Sequence, residues 1–283
     1  MKNSRKNYAV LLLFWLISTQ VFGQTKPQRI VSISGAVTEI LVELGLQNQI
    51  VGTDVTSNYP AAIEKLPKVG HNRGIGAEAT LALQPTIVVG TRDEKGQSFL
   101  KPEVEEQFKS AGVKVQMFTQ QYSIEGTKKL INEVANYFGK KAQAARLIQK
   151  IESSLAKVKK PAIAPKVLFI YARGVGAMSV AGNGTSVKSL IELAGGQNAT
   201  NDFENFKPLT PEGLIAANPD YILLFNSGLE SIGGIDGLLK VPGVAQTNAG
   251  KKRKVIEMDG VMLTGFTPRV GSAVLELSEK LKK

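Results

Sequence analysis

The sequence has no cysteine, a single histidine (His71) and a single tryptophan (Trp15). Each scarcity excludes a chemistry. Without cysteine there are no disulfides, no thiolate nucleophile or metal ligand, and no attachment point for a lipid anchor beside a leader. One imidazole cannot build a zinc site of three histidines. Any hydrolytic triad would need His71 as its base, and no G-x-S-x-G elbow accompanies it. No spacing among the carboxylates singles out a catalytic pair. Long hydrophobic runs are also missing: the uninterrupted stretch Ala9–Ile17 is far shorter than the about 20 residues that span a bilayer.

That stretch reads instead as the core of an export signal. Lys2, Arg5 and Lys6 precede it, and Val21-Phe22-Gly23 follows with small residues at the two positions a signal peptidase reads. Residues 1–23 are therefore expected to be a cleaved leader, with Gln24 as the new N-terminus. A chain of this length can bury one or two good cores without disulfides. An exported, diffusible, lipid-free protein needs an outer membrane to retain it, so the expected compartment is a Gram-negative periplasm. The formal charge is +11, and removing the three leader cations leaves +8. Export excludes nucleic acid as a partner, and the remaining cations are scattered along helices and the tail, as on a solvated face.

Apolar periodicity alternates short strands with amphipathic helices, which implies βαβ units and largely parallel sheets. Strands are expected at 29–34, 50–53, 86–90, 113–118, 166–171, 221–225 and 254–258. Helices are expected at 38–44, 77–83, 104–111, 187–194, 209–218 and 272–282. Between the two groups lies a helical middle. Ser123 is placed to cap a helix with the stripe Leu130, Ile131, Val134 and Phe138. After Gly139, a second helix is expected over 140–160, stiff enough to join two α/β lobes. The resulting organisation is an N-terminal lobe over 24–139, a linking helix over 140–160 and a C-terminal lobe over 161–283.

An internal repeat supports the two-lobe reading. Glu78-Ala-Thr-Leu-Ala-Leu-Gln-Pro85 runs into Thr86-Ile-Val-Val, and Glu212-Gly-Leu-Ile-Ala-Ala-Asn-Pro219 runs into Asp220-Tyr-Ile-Leu-Leu. Both units read as helix, proline stop, buried strand. Arg173-Gly-Val-Gly-Ala-Met-Ser179 only half-matches a dinucleotide fingerprint, because β-like residues follow where a helix should open; a tight turn is the better reading. His71 stands in a glycine-rich loop, Lys68-Val-Gly-His-Asn-Arg-Gly-Ile-Gly-Ala-Glu78. Loops at strand ends of α/β lobes are where ligands bind. One neutral imidazole can ligate haem iron, and Arg73 beside it can pair with a carboxylate.

Further runs carry a resemblance: Arg29-Ile-Val-Ser-Ile-Ser-Gly-Ala-Val-Thr-Glu-Ile-Leu41, Val69-Gly-His-Asn-Arg73, Val180-Ala-Gly-Asn-Gly-Thr185 and Leu193-Ala-Gly-Gly-Gln-Asn-Ala199. To these add Phe206-Lys-Pro-Leu-Thr-Pro-Glu212, Gly233-Gly-Ile-Asp-Gly-Leu-Leu239, Val241-Pro-Gly-Val-Ala-Gln-Thr247 and Gly265-Phe-Thr-Pro-Arg269. From Arg29 to the C-terminus the chain resembles the periplasmic haem-binding proteins of ABC import systems. That group sits within a cluster that also holds cobalamin- and siderophore-binding proteins. The resemblance implies two Rossmann-like lobes joined by one long rigid helix, with a ligand cleft between them. It implies capture of haem as transported ligand by a monomer, with no catalytic cofactor and no enzymatic activity, and delivery to an inner-membrane ABC transporter permease.

By the same resemblance His71 is the axial ligand to haem iron, Arg73 is a haem-contacting residue, and Glu78 and Glu212 dock on the permease; Arg269 is also expected to bind haem. Met178 and Tyr171 are candidates for a ligand from the second lobe. The chain departs from the family pattern twice: His replaces the usual Tyr at position 71, and Thr91–Gln97 replaces a Gly-Pro-Pro loop. The rival readings are a cobalamin or ferric-siderophore binder using Arg73, Arg92 and Arg269, a haem buffer without a permease, and a hydrolase-like enzyme with His71 as base.

The leader reading has a direct consequence. Because Trp15 lies inside it, protein recovered from the periplasm should begin at or near Gln24 and show no tryptophan emission. N-terminal sequencing and a fluorescence spectrum test this, and tryptophan emission from that fraction means the leader is retained.

Overall fold

A computed structural model describes residues 28–71 and 74–282; the expected leader with its cleavage site, Asn72 and Arg73 lie outside the described residues. In the first half the strands are β1 (Ile30–Ser32), β2 (Ile50–Thr53), β3 (Gly70–His71), β4 (Gly74–Ile75), β5 (Ile87–Arg92) and β6 (Lys114–Thr119). They form a parallel sheet of order β2-β1-β5-β6, with β3 and β4 apart as an antiparallel pair. The second half holds β7 (Lys166–Ala172), β8 (Met178–Ala181), β9 (Gln197–Asn198), β10 (Phe206–Pro208), β11 (Tyr221–Phe225) and β12 (Val255–Met258). There the order is β10-β8-β7-β11-β12, with β9 also on β7. The β7–β11–β12 ladder is parallel, whereas β8 and β10 extend it antiparallel.

The hydrophobic pattern explains the layering. Ile30, Val31, Ile87, Val88 and Val89 are all buried, as are Val167, Leu168, Phe169, Ile222, Leu223 and Leu224. Such unbroken apolar runs belong to parallel strands covered on both faces. On one face of each sheet lies a core private to its lobe. The opposite faces share one continuous core, which runs from Ile40 and Val134 through Leu147 and Ile151 to Phe169, Val274 and Leu277. The helical middle is the spine of this shared core.

Helix Ile124–Tyr137 is capped by the Ser123 hydroxyl, which accepts from the Gly126 amide at 2.9 Å, and it buries Leu130, Ile131 and Val134. The expected helix over 140–160 is Lys141–Leu155, shorter by one residue at its start and five at its end. Beyond Ala156 the chain leaves helical geometry to lie along the C-terminal helix Val270–Lys280, where the Ser278 hydroxyl donates to the Lys159 carbonyl at 2.9 Å. The same two helices approach closely at Gly271, where an added Cβ would sit 2.7 Å from the Ile151 carbonyl oxygen. Glycine there sets how tightly the connector and the second lobe join.

Both copies of the repeat fold alike. Helix Ala77–Leu81 passes through Gln84 at φ +48° and Pro85 into β5; helix Pro211–Ala217 passes through Asn218 at φ +38° and Pro219 into β11. A left-handed residue ahead of a proline ends a helix abruptly and re-aims the chain.

The lobes are tied through Gly265–Arg269. The Gln120 amide donates to the Gly265 carbonyl at 2.8 Å, and the buried Phe266 ring lies 5.7 Å from that of Tyr122. Arg269 then reaches into the first lobe, its Nε and Nη2 donating to the two carboxylate oxygens of Glu39 at 3.0 and 2.7 Å. Glu39 is 3% exposed, and the Arg269 side chain 18%. Replacing Glu39 by Ala leaves that guanidinium largely buried without its counter-charge. It should lower stability by about 3 kcal/mol, read by denaturant unfolding. The double replacement with Arg269→Ala should cost less than the sum of the singles.

Candidate ligand-binding site

Parallel sheets bind ligands beyond the carboxyl ends of their strands, and here both sheets turn those ends toward the seam between the lobes. Gln120 follows β6 directly, and Asp259, which follows β12, lies 3.7 Å from Arg269 Nη1.

On the first lobe, the chain beyond β2 runs beside residues 67–70. The Thr53 amide donates to the Pro67 carbonyl, Val69 to Thr53, and Val55 to Gly70, all at 2.9–3.0 Å. This ladder carries β3 out past the sheet edge, and His71, paired with Gly74, stands exposed at its tip. Gly70 makes the hairpin possible: its φ is +121°, and an added Cβ would lie 2.4 Å from the Gly74 carbonyl oxygen. The base of the hairpin is polar and closed. Lys68 Nζ donates to Thr53 Oγ1 at 2.9 Å and to the Ser57 carbonyl at 2.8 Å. The buried Asp54 carboxylate accepts from the hydroxyls of Thr56 and Ser57. Burial pushes the Lys68 pKa down, while the Asp54 charge opposes the shift.

On the second lobe, Tyr171 sits at the carboxyl end of β7 and Arg173 two residues on. The turn reads as expected: the Arg173 amide donates to the Ala177 carbonyl at 3.0 Å, and β8 follows with Tyr171 opposite Ser179 and Ala172 opposite Met178. The guanidinium carbon of Arg173 lies 5.1 Å from the Tyr171 ring centroid. Phe225 and Phe206 meet the same ring edge-on, with centroids 5.1 and 6.3 Å away. Phe206, on the antiparallel edge strand β10, is 45% exposed. The wall thus offers one phenol, one adjacent cation and an accessible aromatic face.

The other expected site residues fall elsewhere. Glu78 and Glu212 are exposed in the first turns of their helices. Arg92 ends β5 and is exposed. Arg269 lies with its guanidinium 3.7 Å from the Tyr59 ring centroid as well as on Glu39. Burial raises the Glu39 pKa, and the hydrogen bond and charge of Arg269 pull it back; the same pair keeps Arg269 protonated against its own desolvation. The unanticipated members are Glu39, Tyr59, Arg173 and Phe206. Only Arg173 carried a sequence signal, its place at the head of the expected tight turn. Among the described residues no group of three or more His, Asp or Glu could hold a metal ion, and no helix is long and apolar enough to cross a membrane.

Comparison with known proteins places this geometry. The periplasmic heme-binding protein RhuT of Roseiflexus sp. RS-1 is 39% identical, with a TM-score of 0.82 covering 89% of this chain and 97% of that one. The periplasmic heme-binding protein BhuT, solved with two hemes, is 34% identical, with a TM-score of 0.83 over 90% and 97%. The heme binding protein HmuT is 30% identical, with a TM-score of 0.78 over 90% and 84%. HmuT has also been solved with a histidine, a tyrosine or an arginine replaced by alanine, the histidine 99 positions before the tyrosine and the arginine two after it. Residues 30–262 match the periplasmic binding protein family. The chain belongs to that family, whose members bind and present substrates rather than transform them.

Proposed function

We propose that this protein captures haem in the cleft between its lobes, in the periplasm after removal of residues 1–23, and delivers it as a monomer to an ABC transporter permease. The observation that carries the reading is a matched pair of walls. An exposed imidazole stands on a glycine-enforced hairpin of one lobe, and a phenol with a cation against its ring stands at the carboxyl edge of the other. His71 and Tyr171 are 100 positions apart, and Arg173 follows Tyr171 by two. That spacing is close to the one in HmuT. In the three relatives described above the bound or named ligand is heme.

In this reading neutral His71 is the axial ligand from the first lobe and Tyr171 the ligand from the second. Arg173, stacked over the Tyr171 ring, helps to hold the phenol in place. Phe206 lies against the porphyrin face, and Arg73 pairs with a propionate. Arg269 enters through the cleft it holds together, because two of its donors face Glu39. The cobalamin and siderophore alternatives rest on free arginines lining the cleft, and Arg269 is not one. The enzyme alternative finds no support in the family, whose members bind and present substrates. Glu78 and Glu212 are the docking acids, one on each lobe.

Titration with haemin tests the site. The parent should give a Soret shift at stoichiometric haem. His71→Ala should abolish the imidazole-ligated spectrum, His71→Tyr should give a high-spin phenolate-type spectrum, and Tyr171→Phe should change the spectrum while leaving the fold intact. Unchanged spectrum and affinity in both His71→Ala and Tyr171→Phe would place the haem elsewhere. Docking is tested separately: Glu78→Ala with Glu212→Ala should retain haem and lose transport. Each exposed pair alone contributes only about 0–1 kcal/mol, so the double variant is the informative one.

A further inference from the structure

Cations that are scattered in sequence gather at one end of the second lobe. Between Glu152 and Glu192, and again between Asp236 and Glu257, the chain carries no acid. The first stretch holds Lys157, Lys159, Lys160 and Lys166, and the second ends in Lys251-Lys-Arg-Lys254. Because the β7–β11–β12 ladder is parallel, Lys166 and Lys254, at the amino ends of β7 and β12, emerge on the same sheet edge. Lys159 is tied to the C-terminal helix through the Ser278 hydroxyl. Lys254 Nζ donates to the Tyr221 hydroxyl at 3.0 Å, and that hydroxyl lies 3.4 Å from the Leu281 carbonyl oxygen. The two basic stretches therefore meet around the end of that helix.

Lys157, Lys159, Lys160, Lys166, Lys251 and Lys252 are exposed, and among the described residues none of them enters an ion pair. Neighbouring acids do little to offset them. Asp236 pairs with Arg253 at 2.7 Å and Glu276 with Lys280 at 2.8 Å, while Asp220 accepts from the Lys166 and Asn248 amides at 3.0 and 3.2 Å. Glu279 is exposed and opposes the lysines. Amid the first stretch runs Pro161-Ala-Ile-Ala-Pro165, outside any helix or strand, with Ile163 86% exposed. One exposed aliphatic is ordinary on a protein surface. This one stands out between two prolines, with Lys159 and Lys160 before it and Lys166 after it.

We propose that this end of the second lobe seats on an anionic phospholipid surface facing the periplasm. The lysines lie over the headgroup phosphates, and Ile163 enters the boundary between headgroups and acyl chains. Basic residues around an exposed apolar side chain fit such an interface, which takes both at once. An acidic protein would match the lysines and leave the isoleucine without a place. The lysine attraction is screened by salt, whereas sealing Ile163 from water is not. The chain has no cysteine to carry a lipid anchor, and this surface supplies a reversible hold in its place. The carboxyl ends of the same strands point the other way, so a protein held here turns its proposed ligand side into the periplasm. The proposal is independent of what the cleft holds.

Co-sedimentation of the leader-free protein with vesicles tests it. Vesicles of equal parts phosphatidylglycerol and phosphatidylcholine should bind the protein, increasingly weakly as salt rises, and phosphatidylcholine alone should not. Lys159→Gln with Lys160→Gln should weaken binding about 25-fold, roughly fivefold for each lysine. Ile163→Asn should weaken it by a factor that persists as salt rises. Lys101→Gln with Lys141→Gln removes the same charge elsewhere and should bind like the parent. Far-UV spectra and thermal midpoints of all variants report intact folding. No binding to the anionic vesicles overturns the proposal. So does an equal loss in the Lys101 and Lys141 variant, which would make the attraction one of net charge alone. Parent-like binding by Ile163→Asn overturns it as well, because the surface would then be suited to any acidic partner.

Discussion

A carboxylate with 3% of its surface exposed is costly to keep charged, and Glu39 is kept so by a guanidinium from the far end of the chain. Arg269 lies 230 residues away in sequence, yet both its fork bonds to Glu39 are short and its plane rests on Tyr59. Such a pair is stable only while both partners are present and dry, since each charge alone would be better off in water. It therefore acts as a condition on the relative placement of the lobes. If the lobes part at this point, two buried charges lose each other before water can reach them. The shared apolar core behind the pair and the close packing of Gly271 on Ile151 impose the same condition without charge. Together they leave small-angle adjustment as the accessible motion.

A rigid seam suits a protein that must grip a large planar ligand from two sides. Walls that are already in register lose little conformational freedom on binding, so more of the contact energy appears as affinity. The construction of each wall follows from this. His71 is at the tip of a two-residue strand whose partner ladder continues β2 outward, and whose glycine neighbour has no side chain to clash with Gly74. Tyr171 is held on three sides by Arg173, Phe206 and Phe225. One wall is narrow and polar at its base, the other broad and aromatic. That asymmetry fits a ligand with a metal at its centre, apolar faces and charges at one edge.

The layers were legible in the sequence because parallel strands and amphipathic helices each leave a period, and the period fixes the face. β2 and β11 fall at their expected residues, and most other elements differ by one or two. The repeat around Glu78 and Glu212 was legible as well, since its proline stops sit at equal distance. What escaped were contacts between residues far apart in the chain. Nothing near Glu39 or Arg269 in sequence announces the other, and Glu39 reads locally as an ordinary polar residue in a helix. The antiparallel β8–β10 extension escaped because short edge strands such as Phe206–Pro208 carry too few residues to show alternation. Position 71 drew notice through its glycine-rich setting, whereas the choice of histidine over tyrosine there has no explanation in the surrounding contacts.

Duplication links the two surfaces of the molecule. In each lobe the helix bearing the proposed docking acid leads, through a left-handed residue and a proline, into an interior strand of the sheet: β5 in one lobe, β11 in the other. The carboxyl ends of those strands carry Arg92 and Phe225. Each of these strands thus has the helix of a proposed docking acid at its start and the proposed ligand side at its finish, joined by a short, constrained segment. The two helices are spaced by the same core and ion pair that space the cleft walls. A partner that engages both helices therefore measures the distance between the lobes. A ligand that changes how the walls sit would be read at the docking face without any dedicated switch, because a rigid pair of lobes transmits a small rotation whole.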